Sequence, residues 1–107
     1  MKGLVFLGSS LDDLRAMPVG IRHAIGVELM RVQFGGGSMD FKPMPGVGPG
    51  AYEIRVRDAS GAFRVIYVAK FPDAIYVLHA FQKKTQKTTK GDLELAARRY
   101  RLIGVNP

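Results

Sequence analysis

AYEIRVRDASGAFRVIYVAKFPDAIYVLHAFQ, Ala51 to Gln82, is the stretch that decides the fold. It holds three β-rich runs, Tyr52–Arg57, Phe63–Phe71 and Ala74–Gln82, parted by Asp58-Ala59-Ser60-Gly61 and by Pro72-Asp73. Both connections are short enough for antiparallel hairpins. In the first run Tyr52, Ile54 and Val56 alternate with Glu53, Arg55 and Arg57, so one sheet face is apolar and the other charged. The second and third runs are apolar at successive positions, the pattern of central strands.

Working outward, Leu4-Val5-Phe6-Leu7 reads as a short strand, and Ser9-Ser10 offers a helix cap ahead of Asp12 and Asp13, which suit the positive end of a helix dipole. Leu11 and Leu14 then face inward. Pro18 suits the first turn of a second helix, whose inner stripe is Ile21, Ala24, Ile25, Leu29 and Val32, with Arg22, Glu28 and Arg31 off it. Gly35-Gly36-Gly37 stops that helix, and the segment on to Gly50 reads as loop. At the other end Thr89 and Asp92 form a capping pair for a last helix marked by Leu93, Ala96, Ala97, Tyr100 and Ile103, which Gly104 ends. The predicted order is β-α-α-β-β-β-α: an α+β chain with a small, mainly antiparallel sheet, an N-terminal α-hairpin and helices on one face. At 107 residues it should form one domain, spanning 1–107.

The formal charge is +7 and unevenly spread, since residues 83 to 101 hold seven Lys/Arg against two acids. Nucleic acid therefore leads the expected partners. The absence of cysteine excludes disulfides and thiolate metal sites and is compatible with a reducing cytoplasm, the expected location. Leu4–Leu7 is far shorter than a signal-peptide core or a membrane span, so no membrane association is expected.

Few side chains offer chemistry. His23 and His79 are the only histidines, and neither has a second His or a carboxylate at ligand spacing, so no metal or other cofactor is expected. PGVGPG, Pro45 to Gly50, lacks the Lys-Ser pair and the following helix of a phosphate loop and reads as a connection. No G-x-S-x-G elbow occurs. What remains is a set of cations. Arg55 and Arg57 share a strand face, Arg64 lies across the hairpin turn, Lys83 and Lys84 leave the adjacent strand, and Lys42 reaches in from the loop. Six cations with only Glu53 to answer them make a phosphate site credible. His79 reads first as a sheet histidine satisfied by a neighbour, and Phe81 and Tyr67 as core aromatics before base-stacking ones.

The strings GPGAYEIRVRDASGAFRVIYVAKF, AIYVLHAFQKKTQKT and DLELAARRY resemble the phage-derived HigB-type branch of the RelE/ParE toxin superfamily, over nearly the whole chain. The resemblance implies a RelE-like fold and the toxin of a type II toxin–antitoxin pair. Such a toxin is a small basic ribonuclease that enters the ribosomal A site and cuts mRNA there without a metal, through the RNA's own 2′-hydroxyl. Carried over by position, Arg64 in Ala62-Phe63-Arg64-Val65-Ile66-Tyr67 would clamp the scissile phosphate, and Arg55 would share the load. Glu53, His79, Lys83 and Lys84 are the candidates for proton transfer, and Glu53 stands where some relatives carry a lysine. Lys42, Arg57, Lys87, Lys90, Arg98, Arg99 and Arg101 would grip RNA through its phosphates. The implied partners are mRNA and ribosomal RNA, a helix-turn-helix antitoxin of HigA-like type encoded beside the gene, and promoter DNA only through that antitoxin. An Arg64→Ala variant is expected to keep its fold and lose toxicity. Rival readings are a ParE-like toxin that poisons DNA gyrase, and an inert nucleic-acid-binding phage protein.

Overall fold

A computed structural model describes residues 1–36 and 41–104. The elements are β1 (Gly3–Phe6), α1 (Ser10–Arg15), α2 (Val19–Gln33), β2 (Phe41–Pro43), β3 (Ala51–Asp58), β4 (Gly61–Val68), β5 (Ala74–Lys83) and α3 (Lys90–Tyr100). The five strands form one sheet in the order β1-β5-β4-β3-β2. All pairs are antiparallel except β1 with β5, where Gly3 sits opposite Ala74 and Phe6 opposite Val77. The α+β class and the β3–β4–β5 meander agree with the sequence; the expected N-terminal α-hairpin is instead two successive helices, each packed chiefly on the sheet, α1 against β5 and α2 against β3. No described helix is long and apolar enough to cross a membrane.

Two further expectations need correction. The segment from Gly35 to Gly50 is not all loop, because Phe41-Lys42-Pro43 adds an edge strand, with Phe41 opposite Ile54 and Pro43 opposite Tyr52. Three residues are too few to show a period, and Pro43 is tolerated because an edge strand has a side that needs no donor. The helix stop holds at Gly35, whose φ of +89° favours glycine; Gly37 lies outside the described residues. The second correction concerns the layers. The helices do not share a face. Ile21, Ile25, Leu29 and Val32 of α2, with Leu14 of α1, pack on Ile54, Phe63, Val65, Tyr67, Val77 and Ala80. Ala96, Leu93 and Tyr100 of α3 pack on Ile66, Val68 and Leu78. A strand buried on both faces needs cover on both, and α3 supplies the second layer.

A bulge sets which face His79 takes. The β4–β5 pairing steps from Ile66–His79 to Tyr67–Val77, leaving Leu78 as the extra residue. Leu78 and the ring of His79 therefore both reach the α3 side, as their contacts with that layer require. Around α3, Thr89 caps the helix by accepting from the Asp92 backbone N–H at 3.1 Å, and its hydroxyl donates to Asp92 Oδ2 at 2.8 Å. The PGVGPG connection is packed down: Val47 is buried with Met44, and Tyr100 donates to the Pro49 carbonyl at 2.6 Å. Gly48 lies so close to the Tyr100 ring that a Cβ would come within 2.6 Å of it.

Candidate nucleic-acid interface

Where β3, β4 and β5 run past the end of α3's cover, the α3 side of the sheet changes from apolar to basic. The strand register sets the side chains in three rows. Lys42, Glu53, Ile66 and His79 form the row nearest α3; Arg55, Arg64 and Phe81 the next; Arg57, Ala62 and Lys83 the last. Side chains directly opposite one another on a sheet stand roughly 5 Å apart at Cβ. Lys42, Glu53, Arg55, Arg57, Arg64 and Lys83, spread over forty-two positions of sequence, are thereby gathered on one surface.

Arg64 is the centre, and it is buried, with 5% of its surface exposed. Its Nε lies 3.4 Å from Glu53 Oε1, and its Nη1 donates to the Phe63 carbonyl at 3.0 Å. Glu53 is equally withdrawn, and its second oxygen accepts from the Thr88 hydroxyl at 2.7 Å. The carboxylate thus has both oxygens committed: it orients the arginine and ties the lead-in of α3 to the sheet. Removing either charge alone would leave the other buried without its counter-ion, so Arg64→Ala carries a folding penalty that the sequence-based expectation of an intact fold did not include.

Around this pair lie exposed cations and open clefts. One cleft of about 530 Å³ is lined by Arg57, Ala62, Arg64, Lys83, Lys84, Thr85 and Gln86; the small Ala62 leaves the space between Arg57 and Lys83. A second, of about 340 Å³, lies between Lys42, Glu53, Arg55, Lys83 and Lys87. Lys83 borders both. Its pKa is lowered below the usual lysine value, first by withdrawal from water and then by the charges of Arg64, Arg55 and Lys42, with Glu53 opposing. The neighbouring cations thus add to an effect that withdrawal from water leads.

Other nominated residues lie elsewhere. His79 is buried, its Nε2 is 2.7 Å from Asp92 Oδ1, and its ring stacks on Phe81 at 4.6 Å between centroids. It pins the first turn of α3 to the sheet and borders neither basic cleft. Tyr67 is core on the α2 side, its hydroxyl pushed up to about 12 by burial, with smaller contributions from Tyr52 and Glu28. Arg99 is structural in its contacts: it donates to the Leu78 carbonyl at 2.9 Å and to Ser9 Oγ at 3.1 Å, joining α3 to β5 and to the start of α1. Lys90 reaches Glu94 at 3.7 Å on the exposed side of α3, and Arg98 and Arg101 are exposed beyond it. Sequence reasoning missed Thr88, Gln86 and the His79–Asp92 pair. A threonine in a basic lead-in gives no signal of its own, and Asp92 had already been assigned to the cap.

Among the described residues no group of three or more His, Asp or Glu could hold a metal ion. The arrangement can bind a phosphodiester at a buried guanidinium, surround it with further cations, and offer an amine of lowered pKa beside it. A family model described as "Phage derived protein Gp49-like (DUF891)" matches residues 12–101. No curated protein matches the chain.

Proposed function

From the premise that the chain belongs to this Gp49-like phage-derived family, a family of toxins of toxin–antitoxin type, we propose that it is a toxin that cuts mRNA on the ribosome. The observation that carries the reading is the buried Arg64–Glu53 pair with Arg55, Arg57, Lys42 and Lys83 gathered on the same sheet surface. A ring of exposed cations binds any polyanion. A guanidinium fixed from below by a carboxylate is preorganised for one phosphate, the property that charge stabilisation in a transition state requires.

In the proposed reaction the ribose 2′-hydroxyl attacks the adjacent phosphorus in line. The bond to the 5′-oxygen of the next nucleotide breaks, leaving a 2′,3′-cyclic phosphate and a 5′-hydroxyl. Arg64 holds the non-bridging oxygens as they gain charge, and Arg55 shares that load from the neighbouring strand. Lys83 is assigned as the base for the 2′-hydroxyl proton, because it borders both basic clefts and its lowered pKa shifts it toward the neutral amine. Lys84 lines the cleft that Lys83 borders and is assigned the proton donated to the leaving oxygen. Glu53 holds Arg64 and His79 holds α3, so this reading gives both a positioning role. Lys42, Arg57 and Lys87 extend the grip along the RNA backbone, and higher salt should weaken it. The cognate antitoxin and the ribosomal A site are the partners of this reading.

The test is primer extension on cellular mRNA after induction of the chain without a neutralising partner. New 5′ ends inside translated codons, absent with an Arg64→Met/Glu53→Gln variant, support the proposal. Intact mRNA accompanied by gyrase-linked DNA breaks refutes it in favour of a gyrase poison.

A further inference from the structure

α2 has a second apolar stripe, turned away from the core. Its inner stripe, Ile21, Ile25, Leu29 and Val32, is buried, yet Val19, Val27, Met30 and Phe34 on the opposite side and at its C-cap are 73%, 37%, 54% and 71% exposed. Positions 27, 30 and 34 follow the i, i+3, i+7 spacing of one helix face, and 19 lies on the same arc. A helix apolar on two sides is the pattern of one that is covered on two sides.

The stripe leads to a cleft. Gln33, Gly35 and Gly36 at the end of α2 line a cavity of about 500 Å³ with Phe41, Tyr52 and Tyr67. Phe41 is 46% exposed and meets Tyr52 edge to face at 5.3 Å between centroids. Lys2 and Lys70 stand at the rim. Tyr52 and Tyr67 belong to the α2 side of the sheet, so stripe and cleft lie on the face opposite the basic rows.

We infer that this surface, the outer stripe of α2 and the aromatic cleft at its end, binds an amphipathic helix of a second protein whose apolar face is flanked by acidic side chains. Charge decides against a second copy of this chain. Arg22 and Arg31 flank the stripe, exposed His23 lies within it, Lys2 and Lys70 line the cleft, and the only acid on α2, Glu28, is half-buried and 3.4 Å from Arg31. An isologous contact would bring those cations against themselves in a chain of formal charge +7. An acidic partner turns the same charges into attraction, and the cleft accepts a bulky anchor side chain at the edge of the helix groove. In the toxin–antitoxin reading, on which the partner's identity rests, that second protein is the antitoxin.

The experiment uses the full chain and the product of the adjacent reading frame. Hydrogen exchange in the complex should slow over Val19–Gly36 and at Phe41 and Tyr52. A Val27→Asp/Phe34→Asp variant should bind about 100-fold more weakly, with unchanged circular dichroism and unchanged mRNA cleavage in the partner's absence. Wild-type affinity in that variant, protection confined to Arg55, Arg64 and Lys83, or no binding by the neighbouring product would overturn the inference. A wild-type dimer in sedimentation that the variant abolishes would overturn the assignment to a second protein. Failed mRNA cleavage with α2 still protected would refute the ribonuclease reading and leave this one standing.

Discussion

Separating the stability role of the Arg64–Glu53 pair from its chemical role requires three variants: Arg64→Met, Glu53→Gln, and both together. The charges are 3.4 Å apart, and their side chains are 6% and 3% exposed. At an effective dielectric of about 20 the direct attraction is on the order of 5 kcal/mol, a ceiling because desolvation of both ions opposes it. Each single variant leaves one buried charge uncompensated and should lose roughly 3 kcal/mol, a fall in Tm on the order of 10–20 °C for a chain of this size. Glu53→Gln keeps an acceptor for Thr88, so its loss reports the charge. In the double variant the strain is relieved, and stability should return to within about 1 kcal/mol of the parent, giving a coupling energy of several kcal/mol in a double-mutant cycle. Denaturant titration measures the stabilities and primer extension the cleavage. Restored stability with no cleavage is the expected result. Additive losses in the double variant would refute the buried-pair account, and a stable double variant that still cleaves would remove Arg64 from the mechanism.

Three further outcomes follow from the same geometry. Lys83→Met should lower cleavage about 100-fold or more at neutral pH with little change in Tm, and the ascending limb of the parent's pH–rate profile should lie below the usual lysine range and vanish in the variant. His79→Ala should cost about 1–3 kcal/mol, because Asp92 Oδ1 loses its imidazole partner and α3 this tie to the sheet, while cleavage by the folded fraction stays near the parent rate in single-turnover assays. Tyr67 is neutral in the fold up to a pKa of about 12, against an ordinary value of 10.0. Its contribution is fully present below pH 10 and is lost as pH rises toward 12, because the unfolded chain releases the proton first. Tyr67→Phe should abolish that part of the alkaline fall, roughly 2–3 kcal/mol at most, in pH-dependent urea unfolding.

The meander was legible because hairpin turns and strand periods are local signals. Tyr52, Ile54 and Val56 alternate with charges, and the register that aligns Arg55 with Arg64 follows from one short turn. The place of α3 was encoded less directly, in the apolar residues of β4 and β5 that face away from α2: Ile66 and Val68 need a cover, and only a non-local argument finds it in Ala96 and Leu93. β2 was invisible because three residues carry no period. In the site, the gathering of cations could be read from strand alternation, but the burial of Arg64 and Glu53 could not. Exposure depends on how far α3 and its lead-in reach across the sheet, and Thr88, which closes over Glu53, has no pattern to announce it.

The β1–β5 pairing has a consequence for the order in which the molecule is made. β1 is synthesised first, but its partner residues run from Ala74 to Val77, and the β3–β4 hairpin is complete before they exist. Until β5 has been made, β1 has no strand to pair with. The first strand to be made therefore waits for the last before it can enter the sheet. Lys83, at the far end of β5, completes the basic surface in the same late step. Closing so long a loop is entropically costly and slow compared with hairpin formation. A nascent chain on the ribosome thus carries Arg55, Arg57 and Arg64 as a simple basic hairpin, without the neighbouring amine, until β5 has been made.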